Sequence, residues 1–304
     1  MVMPWNKQKN TIKESKGDRI FLTANILFLS IVMLVVLYPL IFIVSSSFSS
    51  TAAVTSGKVW LFPVEPSLAG YKAIFRNNQI LYGYANSIFY TVVGTAVNII
   101  FTIMAAFPLS RKDLYGKNLI MFLFTFTMLF SGGLVPFYMV VSKLGMLDKR
   151  IVLILPTALA VFQVIIARTF FQISIPEELA EAAEIDGCDD FGFLIKIVIP
   201  LSGPIIAVIG LMYAVNNWNT YFNALIFLKS TKLFPLQMVL RNILIQNSFD
   251  PNMVKDPVSM METQGLRDLL KYALIVVASV PVLSIYPFVQ KFFVKGMLIG
   301  SIKG

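Results

Sequence analysis

Apolar residues run through this chain in long unbroken blocks rather than in alternating or half-polar helical patterns. Lys, Arg, Asp and Glu are all absent from six intervals: 20–57, 77–110, 118–142, 151–167, 197–228 and 272–290. Stretches such as 20–44 are apolar on every side of a helix, unlike a helix that lies half-buried on a soluble core. Each interval is about as long as, or longer than, the ~17–25 residues a helix needs to cross ~30 Å of hydrocarbon. The pattern predicts an all-α membrane protein with six transmembrane helices, at about 20–47, 84–110, 118–141, 151–171, 201–228 and 270–290. These form a single transmembrane domain, 1–304, with a cytoplasmic loop at 172–200 and an external loop at 229–269. A membrane β-barrel is excluded, because its strands alternate over segments of about ten residues. Pro39, Pro108, Pro136, Pro156, Pro204, Pro281 and Pro287 punctuate the spans and mark kinks or ends.

Orientation follows from the cations. Lys7, Lys9, Lys13, Lys16 and Arg19 precede the first apolar run, which places the N-terminus in the cytoplasm. An even number of spans returns the C-terminus, with Lys291, Lys295 and Lys303, to the same side. The first run is too long for the ~7–15-residue core of a signal peptide, so it reads as an uncleaved span.

Composition narrows the chemistry. Charged residues are 13% of the chain, with 25 basic and 16 acidic, against about 25% in an average soluble protein. Much of the net charge of +9 orients the chain in the membrane and points to no nucleic acid. Histidine is absent and Cys188 is the one cysteine, so no His/Cys metal cluster, Cys–His pair or internal disulfide can form. A membrane enzyme or scaffold would need a catalytic constellation or a recognition domain, and carboxylates are confined to the loops. A secondary transporter of small solutes is the alternative class. Such a protein would carry ionisable groups within its spans for ion coupling, and the six intervals hold none.

The loop 172–200 carries the strongest signal. Ser174 with Glu177 three residues on is a capping-box pattern, Pro176 suits a first turn and Gly187 a helix end. An amphipathic helix is therefore predicted at about 175–186, with Leu179, Ala182, Ala183 and Asp186 on one face. Glu177, Glu181 and Glu184 share another face, which offers charge to a basic partner. A second short helix through Phe191, Phe193, Leu194 and Ile197 leads back to the membrane.

Glu181-Ala182-Ala183, Gly187 four positions after Ala183, then Ile197 and Ile199-Pro200, resemble the EAA motif of permease subunits in binding-protein-dependent ABC importers. One position departs, Ile199 standing where leucine is usual. Trp218-Asn219-x-Tyr221, Phe234-Pro235-Leu236-Gln237 and Gly296-x-x-x-Gly300-Ser-Ile-Lys-Gly304 are similar to the carbohydrate-uptake, maltose-type branch. Ser131-Gly132-Gly133 with Pro136, and Leu240-Arg241-Asn242-Ile243-Leu244, resemble members that take up polysaccharide-derived oligosaccharides.

The resemblance implies a type I ABC importer permease fold, forming half of a translocation pathway in a bacterial plasma or inner membrane with both termini cytoplasmic. It implies a second homologous permease subunit, two ATP-binding subunits, an extracellular solute-binding protein, an oligosaccharide substrate and the lipid itself as partners. ATP and Mg would lie on the ATPase subunits and no cofactor on this chain, which lacks a Gly-x-x-x-x-Gly-Lys-Ser/Thr phosphate loop. Carried over by position, the resemblance assigns ATPase coupling to Glu181, Ala182, Ala183 and Gly187, flanked by Glu177, Glu178 and Glu184. Asn216, Asn217, Trp218, Asn219 and Tyr221 in the fifth span suit a sugar, since amides bind hydroxyls and aromatic faces cover C–H surfaces. The same residues could instead bind neighbouring helices together. Arg168, at the inner end of the fourth span, reads as a side chain snorkelling to the headgroups.

Overall fold

The structure is a computed structural model that describes residues 15–245, 269–285 and 287, and every regular element among them is helical. The C-terminal lysines and most of the expected external loop, 246–268, lie outside the described residues.

Helix α1 (Lys16–Ser47) starts in a capping box in which Ser15 Oγ accepts the Asp18 N–H and the Asp18 carboxylate accepts the Ser15 N–H. None of its apolar window is buried against the rest of the chain; burial begins only at Ser45. Two short helices, α2 (Thr51–Thr55) and α3 (Ala69–Arg76), lead to α4 (Asn78–Ser110), around which the molecule is built. Asn77 caps α4 by accepting the Gln79 and Ile80 N–H groups. Its 33 residues span roughly 50 Å at 1.5 Å each.

The remaining apolar intervals are less regular than their hydrophobicity suggests. The third holds α5 (Lys117–Leu129) and α6 (Leu134–Lys143), which meet at 113°. Gly132 and Gly133 lie at the bend, and Gly133 has φ +84, a conformation that only glycine adopts without strain. The fourth opens with a 3₁₀ turn at Arg150–Leu153 and an irregular run through Pro156 before α7 (Val161–Ser174). Then follow α8 (Glu177–Ile185), α9 (Asp190–Leu201, with a π turn at Leu194–Val198) and α10 (Gly203–Trp218). The bend between α9 and α10 is 83°. Pro204 lacks an N–H and its ring would meet the carbonyl of Pro200 in a continuous helix, so the chain turns there. Helices α11 (Phe222–Phe227), α12 (Leu236–Ile245) and α13 (Leu269–Ile285) complete the described chain. By length and composition α1 and α4 can each cross a membrane alone, and the two bent pairs are further candidates.

Two apolar clusters pack along α4. Ile80, Tyr90, Trp218, Phe227, Leu236 and Leu274 belong to the one at its N-terminal half. Ile103, Phe107, Val164, Phe171, Ala183 and Phe193 belong to the one at its C-terminal half. A buried polar layer separates them. Asn217 Nδ2 donates to Asn98 Oδ1 at 3.0 Å and to Thr95 Oγ1 at 3.3 Å, while Asn98 Nδ2 donates to the Thr157 carbonyl at 2.7 Å. Tyr213 Oη accepts the Ala160 N–H at 3.2 Å and shares a 2.7 Å bond with Thr102. Thr157 and Ala160 belong to the irregular run before α7, so this layer supplies partners for backbone that no helix satisfies. Gly94 makes the layer possible, since a Cβ there would stand 2.9 Å from Asn217 Nδ2.

Candidate functional site

The 172–200 loop folds as a short helix held against the end of α4. Ser174 is the last residue of α7 rather than the cap of α8, and the position before α8 is Pro176, with no side-chain cap. Pro176 itself causes this shift: a residue preceding proline avoids helical backbone, and Ile175 is extended at φ −110, ψ 101. Glu177 and Glu178 occupy the first turn, where the helix dipole favours negative charge.

The other end closes as the sequence predicts. Gly187 has φ +74; its N–H donates to the Glu184 carbonyl at 3.0 Å, and Cys188 N–H donates to the Ala183 carbonyl at 2.8 Å. This pair of bonds is a Schellman ending, which satisfies carbonyls that a helix C-terminus would leave open.

The expected small-residue face is divided. Ala180 and Ala183 are buried in the cluster at the C-terminal half of α4 with Phe193, whereas Ala182, Glu181, Glu184 and Ile185 face outward. Ile185 is 86% exposed, an apolar side chain on an acidic surface. Glu177 is not free for a partner, because it pairs with Lys112 from the α4–α5 loop. That hydrogen bond and the Glu177 charge raise the Lys112 pKa above its ordinary 10.5, with Glu178 and Glu181 adding to the effect. Arg168 Nε donates to the Leu109 carbonyl at 2.8 Å, so it ties α7 to the end of α4 instead of reaching for headgroups. Arg111 lies 5.9 Å from the centre of the Phe193 ring. Between α4 and α8 is a cleft of about 460 Å³ lined by Ser110, Lys112, Gln172, Glu177 and Phe193 among others.

The five residues at the end of α10 separate by role. Asn217 is buried in the polar layer, and Trp218 is buried with Nε1 donating to the Ala278 carbonyl of α13 at 3.0 Å and its ring edge-on to Tyr84. These two join helices. Asn216, Asn219 and Tyr221 are exposed. Asn219 lines a second cleft of about 480 Å³ with Gln237, Ser279 and apolar residues of α1, α12 and α13.

One constellation is invisible in the sequence. At the end of α4 remote from α8, Asn86 Nδ2 donates to the carbonyls of Lys232 and Phe234 at 2.7 and 3.1 Å, and its Oδ1 accepts Arg150 at 3.0 Å. Tyr90 donates to the Leu233 carbonyl and Ser87 accepts the Leu236 N–H. Beside them the Asp148 carboxylate accepts the Ser230 hydroxyl at 2.6 Å and the N–H groups of Ser230 and Lys229 at 2.8 and 2.9 Å. These bonds, that of the Ser230 hydroxyl first, hold its pKa below the usual 3.8. The one hint available was an aspartate with room for positive φ, here +55, before two cations.

The model of the family described as "Binding-protein-dependent transport system inner membrane component" matches residues 98–299, which include α8 and the end of α10. The chain belongs to that family. Among relatives of this permease, Protein LplC of Bacillus subtilis is 42% identical over 97% of this chain and 99% of its own length. The polygalacturonan/rhamnogalacturonan transport system permease protein YtcP of the same organism is 45% identical over 91% of this chain and 96% of its own. A crystal structure of a bacterial ABC transporter involved in the import of the acidic polysaccharide alginate contains a chain with a TM-score of 0.84 and 36% identity, covering 92% of this permease and 99% of that chain. The fold is thus that of type I importer permeases. The protein is a permease subunit of a carbohydrate or oligosaccharide ABC importer, a multi-pass membrane component working with an ATPase and a solute-binding protein. Permeases of this family are not themselves enzymes.

Proposed function

We propose that this permease forms half of the pathway with a second, homologous subunit, and that α8 docks on one of two ATPase subunits and transmits their closure. In this reading six spans cross the membrane: α1, α4, the α5/α6 pair, α7 with its irregular lead, α10 with α11, and α13. Both termini and α8 are cytoplasmic, and residues 142–150 and 229–269 are external. ATP and Mg sit on the ATPase partners and this chain holds no cofactor. The observation that carries the reading is α8 itself: a helix closed at Gly187, packed through Ala180 and Ala183, and presenting Glu181, Ala182, Glu184 and Ile185 outward. A rigid element packed on α4 and joined to α9 through the turn at Gly187 transmits displacement to the spans, where a loose loop would absorb it.

The substrate is an oligosaccharide released from an acidic polysaccharide, supported by the likeness to YtcP and to the alginate importer. Asn216, Asn219 and Tyr221, exposed at the end of α10, are the residues of this chain offered to it.

The decisive measurement is made on the importer reconstituted in proteoliposomes with Gly187→Val. No neighbouring atom obstructs a side chain there, so the cost is backbone strain at positive φ, about 1–2 kcal/mol, borne by the end of α8. The variant is expected to reach the membrane in normal amount and to lose uptake, by failing to retain the ATPase or by hydrolysing ATP without moving sugar. Normal ATPase retention and normal uptake would overturn coupling through α8.

A further inference from the structure

Helix α4 ends on carbonyls that the helix itself cannot satisfy. Ser110 Oγ donates to the Phe107 carbonyl at 2.6 Å, and the Arg111 N–H donates to the Pro108 carbonyl at 3.1 Å. These two bonds are local, but the Leu109 carbonyl takes its donor, Arg168 Nε at 2.8 Å, from α7. The last turn of α4 has no basic residue of its own, so Arg168 also sets a cation at the negative end of its dipole. Leu109 is buried, as are Ala167 and Phe171 beside Arg168 on α7. Neither ion pair among the described residues includes Arg168, so its partner there is backbone rather than carboxylate.

A second polar bond ties the same two helices farther along, where Asn98 Nδ2 donates to the Thr157 carbonyl in the irregular lead of α7. Asn98 and Leu109 stand roughly 16 Å apart along α4 at 1.5 Å per residue. Ile103, Phe107, Val164, Ala167 and Phe171 fill the interval with one apolar cluster. Apolar contact is non-directional and lets packed helices slide or tilt. Two separated polar bonds forbid the tilt, whereas either one alone would be a pivot. Only Ile175 and Pro176 lie between α7 and α8, so a push on α8 acts first on the end of α7 that Arg168 holds. The other tie near this point, Lys112 to Glu177, is an exposed pair of little strength.

We propose that Arg168 is the positioning residue that makes α4 follow α8, an inference that rests on the coupling role proposed above. With the bond to Leu109 in place, α7 and α4 move as one body when the ATPases close on α8. Without it α7 pivots about the Asn98–Thr157 bond and its tilt absorbs the displacement. Helix α4, on which both apolar clusters pack, then stays behind, and ATP is hydrolysed without sugar moving.

The test compares two side chains of matched length in the reconstituted importer. Arg168→Met carries a methyl group where Nε stands, and Arg168→Gln carries an amide N–H there. The measurement is ATP hydrolysed per sugar taken up, with subunit abundance and co-purified ATPase recorded alongside. Arg168→Met is expected to raise this ratio about threefold or more, and Arg168→Gln to bring it back toward the wild-type value. Lys112→Ala is expected to leave it unchanged. Equal ratios in Arg168→Met and Arg168→Gln, or a rise in Lys112→Ala as large as that in Arg168→Met, would overturn the pin. A second measurement keeps Arg168 intact and so does not depend on how its variants fold. Spin labels on Ser110→Cys and Thr169→Cys, in a Cys188→Ala background, are expected to hold one separation in the resting and the ATP-trapped importer; a changed separation would overturn the pin. Gly187→Val distinguishes this inference from its parent. If Gly187→Val loses uptake while Arg168→Met keeps the wild-type ratio, the pin alone falls; if Gly187→Val keeps uptake, coupling through α8 falls with it.

Discussion

At one end of α4, α8 is held by the apolar contacts of Ala180 and Ala183 and an exposed ion pair, with Arg168 bracing α4 itself. At the other, residues 229–236 are held by a buried and half-buried mesh from Asn86, Ser87, Tyr90 and Arg150, with the exposed bonds of the Asp148 clasp beside it. Exposed ion pairs contribute little and part easily, whereas a buried polar group stripped of its partner is costly. The α8 end is therefore the less firmly fixed of the two.

Burying a charge tests that contrast most severely. Ala183→Asp places a carboxylate in the cluster of Phe171 and Phe193 and is expected to destabilise the subunit by about 3 kcal/mol or more. Ala182→Asp, one position on but facing outward, is expected to leave subunit abundance normal while weakening ATPase retention. Quantifying the subunit in membranes and the co-purified ATPase separates them. Equal abundance in both variants would mean that α8 does not pack on the chain in this register.

Asn86→Ala probes the rigid end. It leaves the Lys232 and Phe234 carbonyls and Arg150 short of partners, at a cost of about 2 kcal/mol, read as a lowered Tm of the purified complex.

Asp148→Asn is expected to have a smaller effect on Tm, since the site is exposed and an amide oxygen still accepts. Its signature is pH dependence. Because the folded pKa is depressed, the stabilisation is fully present above the unfolded value near 3.8 and is lost as pH falls through the lower folded value. Wild type is thus expected to lose clasp stability only in acid, and Asp148→Asn to show no such pH step.

Smallest is Lys112→Ala. The Lys112 pKa is raised, so the contribution of its pair is present below 10.5 and lost only at still higher pH. At neutral pH the loss is expected to barely move Tm. A large drop would show that the α8 end is as firmly fixed as the other and would break the comparison.

These contrasts also explain what the sequence disclosed. The α8 helix, its acidic face and the turn at Gly187 are encoded by neighbours a few residues apart, so composition and spacing reveal them. The misplaced cap is equally local: Ser174 fits the capping pattern, but the constraint of Pro176 on Ile175 outweighs it. The 83° bend falls beside Pro204, one of the prolines that mark kinks or ends, whereas the 113° bend at Gly132–Gly133 escaped, because uniform apolarity reports residence in lipid and says nothing about straightness. Asn217 and Asn219, two positions apart, went to a helix joint and a cleft respectively, since the face each occupies depends on where α4 lies. The Asp148 clasp joins residues 82 positions apart and left no periodic trace.

That long reach has a consequence for biogenesis. Asn86 finds its carbonyl partners 146 and 148 positions later in the chain. A ribosome adding about 5–20 residues per second delivers them roughly 7–30 s after Asn86 itself is made. During that interval α4 carries an unsatisfied amide at 86, a buried-to-be serine at 87 and a tyrosine hydroxyl at 90. A nascent chain that ends before residue 232 keeps those groups open, so this end of α4 closes only late in synthesis.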